Sequence, residues 1–374
     1  MHVAWLIVLL LIPLVLGLLA WRSKRERVTL VLINVAAIIL AIGGFEGYLV
    51  YEKAKADGVR LEGTITEGFT DPDDLLGYAP RRNARVTARE YYRNSLIYDV
   101  VYTIGPNGLR VTPPAPGVPK GCVVFFGDSI TFGEGVNDEE SFPYRVGLRT
   151  AGEYAIYNFA FSGYGPHQML ANLQARREEK ITDCRLTHFI YFCIPEHVER
   201  VAGMAFWDKH GPRFVLTPEG KVVRKGNFDS FAQSSGFFTL PSWITTGFDS
   251  FLAWQKVFGR AREAGPAHVA LLIAVIREAA GITRERYPGS KFDVILWDGN
   301  ESERVHAIER GLQAGGIEVH RETTAIPDFR VNWRQYVLSE YDMHPNPLQL
   351  DRLARYVAVA ILGRKGEGAE QLQP

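Results

Sequence analysis

Two uncharged apolar runs open the chain. Val3 to Ala20 and Val28 to Phe45 each cover 18 residues. At about 1.5 Å of rise per residue, either run spans about 27 Å as a helix, close to the hydrocarbon thickness of a bilayer. Between them, Trp21-Arg22-Ser23-Lys24-Arg25-Glu26-Arg27 carries four basic residues against one acid. Short basic loops stay in the cytoplasm. The pattern therefore predicts a two-helix transmembrane hairpin within residues 1–50, with helices at 3–20 and 28–45. It would be anchored in an inner or plasma membrane, with the basic loop cytoplasmic and everything beyond it extracytoplasmic. A signal peptide would carry its basic residues before the apolar core; here they follow it.

Beyond the hairpin the pattern changes. Residues 51–120 read as an extended β lead-in, with strand composition at Ser95–Ile104, a turn at Gly105-Pro-Asn-Gly108 and a stiff stretch holding Pro113, Pro114, Pro116 and Pro119. From Gly121, short apolar runs recur: Cys122–Phe126, Tyr154–Phe159, Thr187–Cys193, His268–Val275, Phe292–Trp297 and Ile317–His320. The first suits a strand buried on both faces, and the others are further strand candidates. Helical spacing separates several of them, as in Gln168–Glu179 and Ser302–Ala314, and recurs in Leu348–Leu362. Alternating strands and helices predict a parallel sheet covered on both faces, filling residues 121–364 ahead of a tail at 365–374. An aromatic-rich insertion covers about 203–258, with Phe206, Trp207, Phe214, Phe228, Phe231, Phe237, Phe238, Trp243, Phe248, Phe251 and Trp254. It reads as a small satellite core, with a lid or a sugar-stacking wall as the alternatives.

Composition narrows the function. The 374 residues carry 42 Lys+Arg and 42 Asp+Glu, leaving no cationic surplus for phosphate backbones, so no nucleic-acid partner is expected. The 3 cysteines exclude a disulfide-rich scaffold. Cys122 and Cys193 read as buried apolar residues, and Cys184 has no evident partner. No His/Cys spacing suggests a metal site, and no cofactor is implied.

In parallel α/β sheets the working residues sit at the carboxyl ends of the strands. Directly after the first buried run comes Gly127-Asp128-Ser129-Ile130-Thr131-Phe132-Gly133-Glu134-Gly135. A serine at that place can expose its Oγ, and the turn's amides can face an incoming carbonyl. After the second run comes Asn158-Phe-Ala-Phe-Ser-Gly163-Tyr-Gly165, where the Gly163 amide is a second candidate oxyanion donor. Near the carboxyl end, Tyr341-Asp342-Met343-His344-Pro345-Asn346 offers His344 as a base for the Ser129 proton and Asp342 to orient it. His197 and Arg200 follow the third run and, with Asp128, are candidate substrate contacts. His167 is a weaker candidate for lining the site.

These blocks, in this order over residues 121–362, resemble the SGNH/GDSL hydrolase family. The resemblance implies a flavodoxin-like three-layer sheet with Ser129 as nucleophile, His344 as general base, Asp342 as its orienter, and the Ser129 and Gly163 amides as oxyanion hole. Two departures stand out. The family's third block, Gly-x-Asn-Asp, supplies a side-chain donor to the oxyanion; here that place reads Cys193-Ile194-Pro195-Glu196-His197, with His197 the candidate substitute. The family's acid stands three residues before the histidine, where this chain has Tyr341; Asp342 stands two before, as a tighter triad or as a structural residue beside a dyad. The expectation is a membrane-anchored esterase acting on an acyl ester of an envelope glycan, a lipid or another small molecule. An O-acyltransferase of a surface polysaccharide and a non-catalytic glycan-binding or assembly subunit are the alternatives.

Overall fold

The computed structural model describes residues 2–56, 58–229 and 264–364. Phe231, Phe237, Phe238, Trp243, Phe248, Phe251 and Trp254 of the aromatic-rich insertion lie outside these residues, as does the tail from 365. The described residues fall into two compact units, one within residues 1–58 and one spanning residues 59–229 and 264–364.

The first unit holds helix α1 (His2–Arg22) and helix α2 (Glu26–Ala56), folded back on each other around the short basic turn. Both predicted runs are helical, and α2 continues past Phe45 to Ala56. Ala20 and Ala36 are buried, while Leu14, Leu18, Leu30, Val31 and Ile38 point outward and exposed. Within α2, Glu26–Glu52 is long and apolar enough to cross a membrane, with a mean hydropathy of 2.5.

The second unit opens with antiparallel strands. β1 (Val59–Glu62) leads into the hairpin of β2 (Thr70–Asp73) and β3 (Gly77–Pro80). β4 (Arg85–Tyr92) and β5 (Ser95–Thr103) follow, and the sheet order is β1-β4-β5. Arg110 ends this lead-in as a fully buried side chain. It pairs with Asp138 at 2.9 Å and donates to the carbonyls of Phe132 (2.8 Å) and Val136 (2.7 Å). Burial lowers its pKa against the pull of Asp138; these partners, with the Gly133 carbonyl as a fourth, explain why a cation is tolerated there.

The core is a five-stranded parallel sheet. Its strands are β6 (Gly121–Phe126), β7 (Tyr154–Asn158), β8 (Leu186–Cys193), then, beyond the hairpin of β9 (Pro212–Leu216) and β10 (Val222–Asn227), β11 (Lys291–Leu296) and β12 (Glu318–Arg321). The order β12-β11-β8-β6-β7 is the doubly wound, flavodoxin-like arrangement. Alternation along β6 decides the layers. Cys122, Val124 and Phe126 face one core, and Val123 and Phe125 face the other. On the first face pack α5 (Pro166–Gln174), α8 (Pro266–Arg286) and α9 (Glu303–Gln313); on the second pack α4 (Phe142–Arg149) and α10 (Pro347–Tyr356). The short helices α3 (Ser129–Phe132), α6 (Arg177–Ile181) and α7 (His197–Val201) complete the crossovers.

Three expectations are corrected. His268–Val275 is part of α8, not a strand. Its buried positions Leu272, Val275, Ile276, Ala279, Ala280 and Thr283 repeat at helical spacing, and Gly265 with Pro266 starts the helix. The helix foreseen at Gln168–Glu179 is two pieces, α5 and α6, broken where Arg176 takes a φ of 55°. Cys184 is paired: it forms a disulfide with Cys122, with Cα atoms 5.5 Å apart. The Cys122 amide donates to the Arg185 carbonyl at 2.8 Å, which brings the approach to β8 alongside the start of β6. Cys193 is buried and free, as expected.

Candidate active site

The β6–α3 junction presents Ser129. Gly127 stands at φ 155°, and a Cβ there would fall 2.3 Å from Thr131 Oγ1, so glycine alone fits this turn. Asp128 caps α3 by accepting from the Ile130 amide at 3.0 Å, which puts Ser129 at the first helical position. Ser129 keeps 8 % of its surface exposed. Across the sheet's carboxyl edge, β13 (Val337–Ser339) pairs with β14 (Asp342–Pro345). Asp342 and His344 therefore stand on a short strand rather than on a loop.

The three residues meet. His344 Nε2 lies 2.8 Å from Ser129 Oγ, and His344 Nδ1 lies 2.6 Å from Asp342 Oδ1. The His344 amide also donates to Asp342 Oδ1 at 3.0 Å. Asp342 thus takes the orienting place two residues before the histidine, because both residues lie on one face of an extended segment. Tyr341 stands outside, 52 % exposed and stacked on Tyr92.

Electrostatics centre on the imidazole. Burial pushes the His344 pKa down, but the Asp342 hydrogen bond and the charges of Glu134, Asp342 and Asp128 carry it up to about 9. Asp342 is held below the usual carboxylate range: burial raises it, and the hydrogen bond and charge of His344 outweigh that. Glu90, reaching in from β4, hydrogen-bonds Asp342; burial, that bond and the Asp342 charge push its carboxyl up to about 8. Glu134 receives a hydrogen bond from Ser162 Oγ at 2.6 Å, and its amide donates to the Ser129 carbonyl at 2.9 Å.

Gly163 occupies a left-handed turn at φ 79°. Neither its amide nor that of Ser129 donates to any group among the described residues. An unpartnered N–H group is the equipment for holding a negative oxygen.

Asp128, His197 and Arg200 are brought together, but as a closed network. Asp128 and His197 are fully buried. Arg200 Nη1 donates to Asp128 Oδ2 at 3.0 Å, and His197 Nε2 lies 3.3 Å from the same oxygen. Burial raises the Asp128 pKa, yet Arg200 and His197 hold it far below the ordinary value. Burial draws His197 down to about 4. It is therefore neutral, donating from Nε2 to Asp128 and accepting at Nδ1 from the Tyr191 hydroxyl at 2.6 Å. With both nitrogens engaged and no exposed surface, His197 presents nothing to a substrate, and neither does Asp128. The side chain of Arg200 keeps 13 % exposure. His167 is buried in a pair with Asp208 at 2.7 Å and does not line the site.

Glu90 was not foreseen, since a half-buried acid in an alternating strand looks like a solvated face. Glu134 stands inside the Gly-Asp-Ser segment, where position alone signalled it. Tyr78 was not foreseen, and Trp207 was signalled only as one of the insertion's aromatic residues, because their contacts with the Gly163 turn cross long stretches of chain.

No protein-family model matches the chain, and no curated protein matches it. Solved structures with a similar fold include an acetyl xylan esterase, Est2A, from the rumen bacterium Butyrivibrio proteoclasticus, at 12 % identity and TM-score 0.36, covering 66 % of this chain and 66 % of that one. A variant of Axe2, an acetyl xylan esterase from Geobacillus stearothermophilus, is 15 % identical with TM-score 0.34, covering 67 % of this chain and 97 % of that one. The psychrotrophic esterase EstA from Pseudoalteromonas sp. is 11 % identical with TM-score 0.35, covering 65 % and 98 %. At such TM-scores the likeness assigns no role to any residue here.

Proposed function

We propose that this protein is a serine hydrolase of the SGNH/GDSL type, acting on an acyl ester, anchored by α1 and α2 with its catalytic unit outside the cytoplasm. The observation that carries the reading is the Ser129–His344–Asp342 contact chain at 2.8 and 2.6 Å. Neutral His344 takes the Ser129 proton as Oγ attacks the acyl carbon, and the oxyanion rests on the Ser129 and Gly163 amides. Collapse expels the alcohol, which receives the proton from His344. Water, deprotonated by the same imidazole, then releases the acid and restores Ser129.

Two further observations support the setting. A disulfide between Cys122 and Cys184 suits an oxidising compartment. Beside the Gly163 turn, Trp207 is 47 % and Phe206 79 % exposed, standing edge to face at 5.1 Å, a surface suited to the apolar face of a sugar or to an acyl chain. The envelope glycan or lipid ester is the substrate class we favour, with transfer to a glycan hydroxyl as the alternative fate of the acyl group.

The test is fluorophosphonate labelling of the full-length protein in detergent. Labelling that disappears in Ser129→Ala and His344→Ala supports an activated serine. An unlabelled, folded wild-type protein would overturn the enzyme reading in favour of a binding or assembly role. A product with the acyl group on an added glycan, formed faster than free acid, would assign transfer.

A further inference from the structure

The turn at Ser162-Gly163-Tyr164 is held in an unusual way. Its consecutive carbonyls each accept a hydrogen bond from a side chain. Tyr78 Oη on β3 donates to the Ser162 carbonyl at 2.8 Å. Trp207 Nε1, between α7 and β9, donates to the Gly163 carbonyl at 3.2 Å. Arg200 Nη1 on α7 donates to the Tyr164 carbonyl at 2.6 Å. The amides can be accounted for in the same way. Tyr164 N–H goes to the Phe161 carbonyl at 3.0 Å, and Gly165 N–H goes to Gln168 Oε1 at 2.8 Å. Among the described residues, the one polar backbone group of these peptides left over is Gly163 N–H.

A trans peptide points its C=O and N–H in opposite directions. Fixing the Ser162 carbonyl on Tyr78 therefore fixes the direction of Gly163 N–H. Trp207 and Arg200 then fix the next two planes, so the turn cannot rotate to satisfy that amide internally. Space enforces the same answer: a Cβ on Gly163 would lie 2.5 Å from Trp207 Nε1 and 2.6 Å from Tyr78 Oη. The clamp is also tied to the nucleophile, because Arg200 simultaneously holds Asp128, the residue before Ser129.

We propose that Tyr78, Trp207 and Arg200 are positioning residues that lock this turn, keeping Gly163 N–H aimed as an oxyanion donor where the chain has no third-block asparagine. Rigidity of the backbone donors thus stands in for an additional side-chain donor. The catalytic part rests on the hydrolase reading above; the clamp itself does not.

Truncating Arg200 would strand buried Asp128, so the test uses Tyr78→Phe and Trp207→Phe in the full-length protein, which remove one donor each and keep a ring. Each is expected to lower kcat about tenfold, the scale of one lost hydrogen bond in a strained transition state, with KM within about twofold and the midpoint of the pH profile unmoved. Independently of activity, hydrogen exchange at the Tyr164 and Gly165 amides should quicken in both variants while other segments stay unchanged. Unchanged exchange and unchanged kcat would overturn the proposal. A rise in KM alone for Trp207→Phe would also overturn it, making that ring only a substrate surface. If the wild-type protein proves inert, the hydrolase reading fails, and the exchange result alone decides the clamp.

Discussion

His344 is surrounded by more negative charge than one base needs. Asp342 orients it, while Glu134 and Asp128 add charge without touching it, and together they overcome burial to bring its pKa to about 9. A raised pKa means that the imidazolium is stabilised, so the neutral base becomes the major form only above that value. With a simple acyl ester, kcat/KM should therefore climb tenfold per pH unit through neutrality and level off above about 9. Glu134→Gln removes one of these charges, yet an amide oxygen can still accept from Ser162 Oγ. The midpoint should fall by roughly one pH unit; a pH–rate profile that does not move would mean that the Glu134 charge is screened from the ring.

At the scale of elements, the lead-in strands prove to be part of the site. β4 carries Glu90 to the back of Asp342, and β3 carries Tyr78 to the Gly163 turn. Burial and the neighbouring Asp342 charge raise the Glu90 pKa, which favours a protonated carboxyl able to donate to Asp342. Glu90→Gln keeps a donor and should retain activity, whereas Glu90→Leu should lose about tenfold in kcat, the value of one hydrogen bond to a charged group. Equal activity in the two variants would make Glu90 a bystander. None of this was legible in the sequence, where residues 51–120 carry only alternation and turns. The sheet strands were legible, because β6 is an uninterrupted apolar run and β8 and β11 end in apolar stretches, Phe189–Cys193 and Val294–Leu296. His268–Val275 misled for the same reason: a run apolar on every side conceals its period, and the helical spacing emerges only when Ala279, Ala280 and Thr283 are included. The Ser129, Asp342 and His344 constellation could be read because short segments at strand ends fix where those side chains go. The Cys122–Cys184 pair could not, since the approach of residue 184 to β6 is set by sheet register.

For the whole molecule, orientation across the membrane and disulfide chemistry make one linked prediction. The turn between α1 and α2 holds Arg22, Lys24, Arg25 and Arg27, and such charge resists translocation. On the orientation proposed above, the second unit would meet the oxidising side, where Cys122 and Cys184 can close a loop with a sequence separation of 62. Closing a loop of that size restrains the unfolded chain, so Cys184→Ser should lower stability by about 2–4 kcal/mol, measured by thermal unfolding of the full-length protein against wild type. Replacing the four basic residues by Gln should let part of the population insert the other way. In intact spheroplasts, that part of the catalytic unit should become resistant to added protease. The same fraction should show free thiols at Cys122 and Cys184, because it folds on the reducing side. Protection and thiol exposure must rise together. Protease resistance of the unmodified protein, or a disulfide that persists in a protected fraction, would contradict the orientation derived from the basic turn.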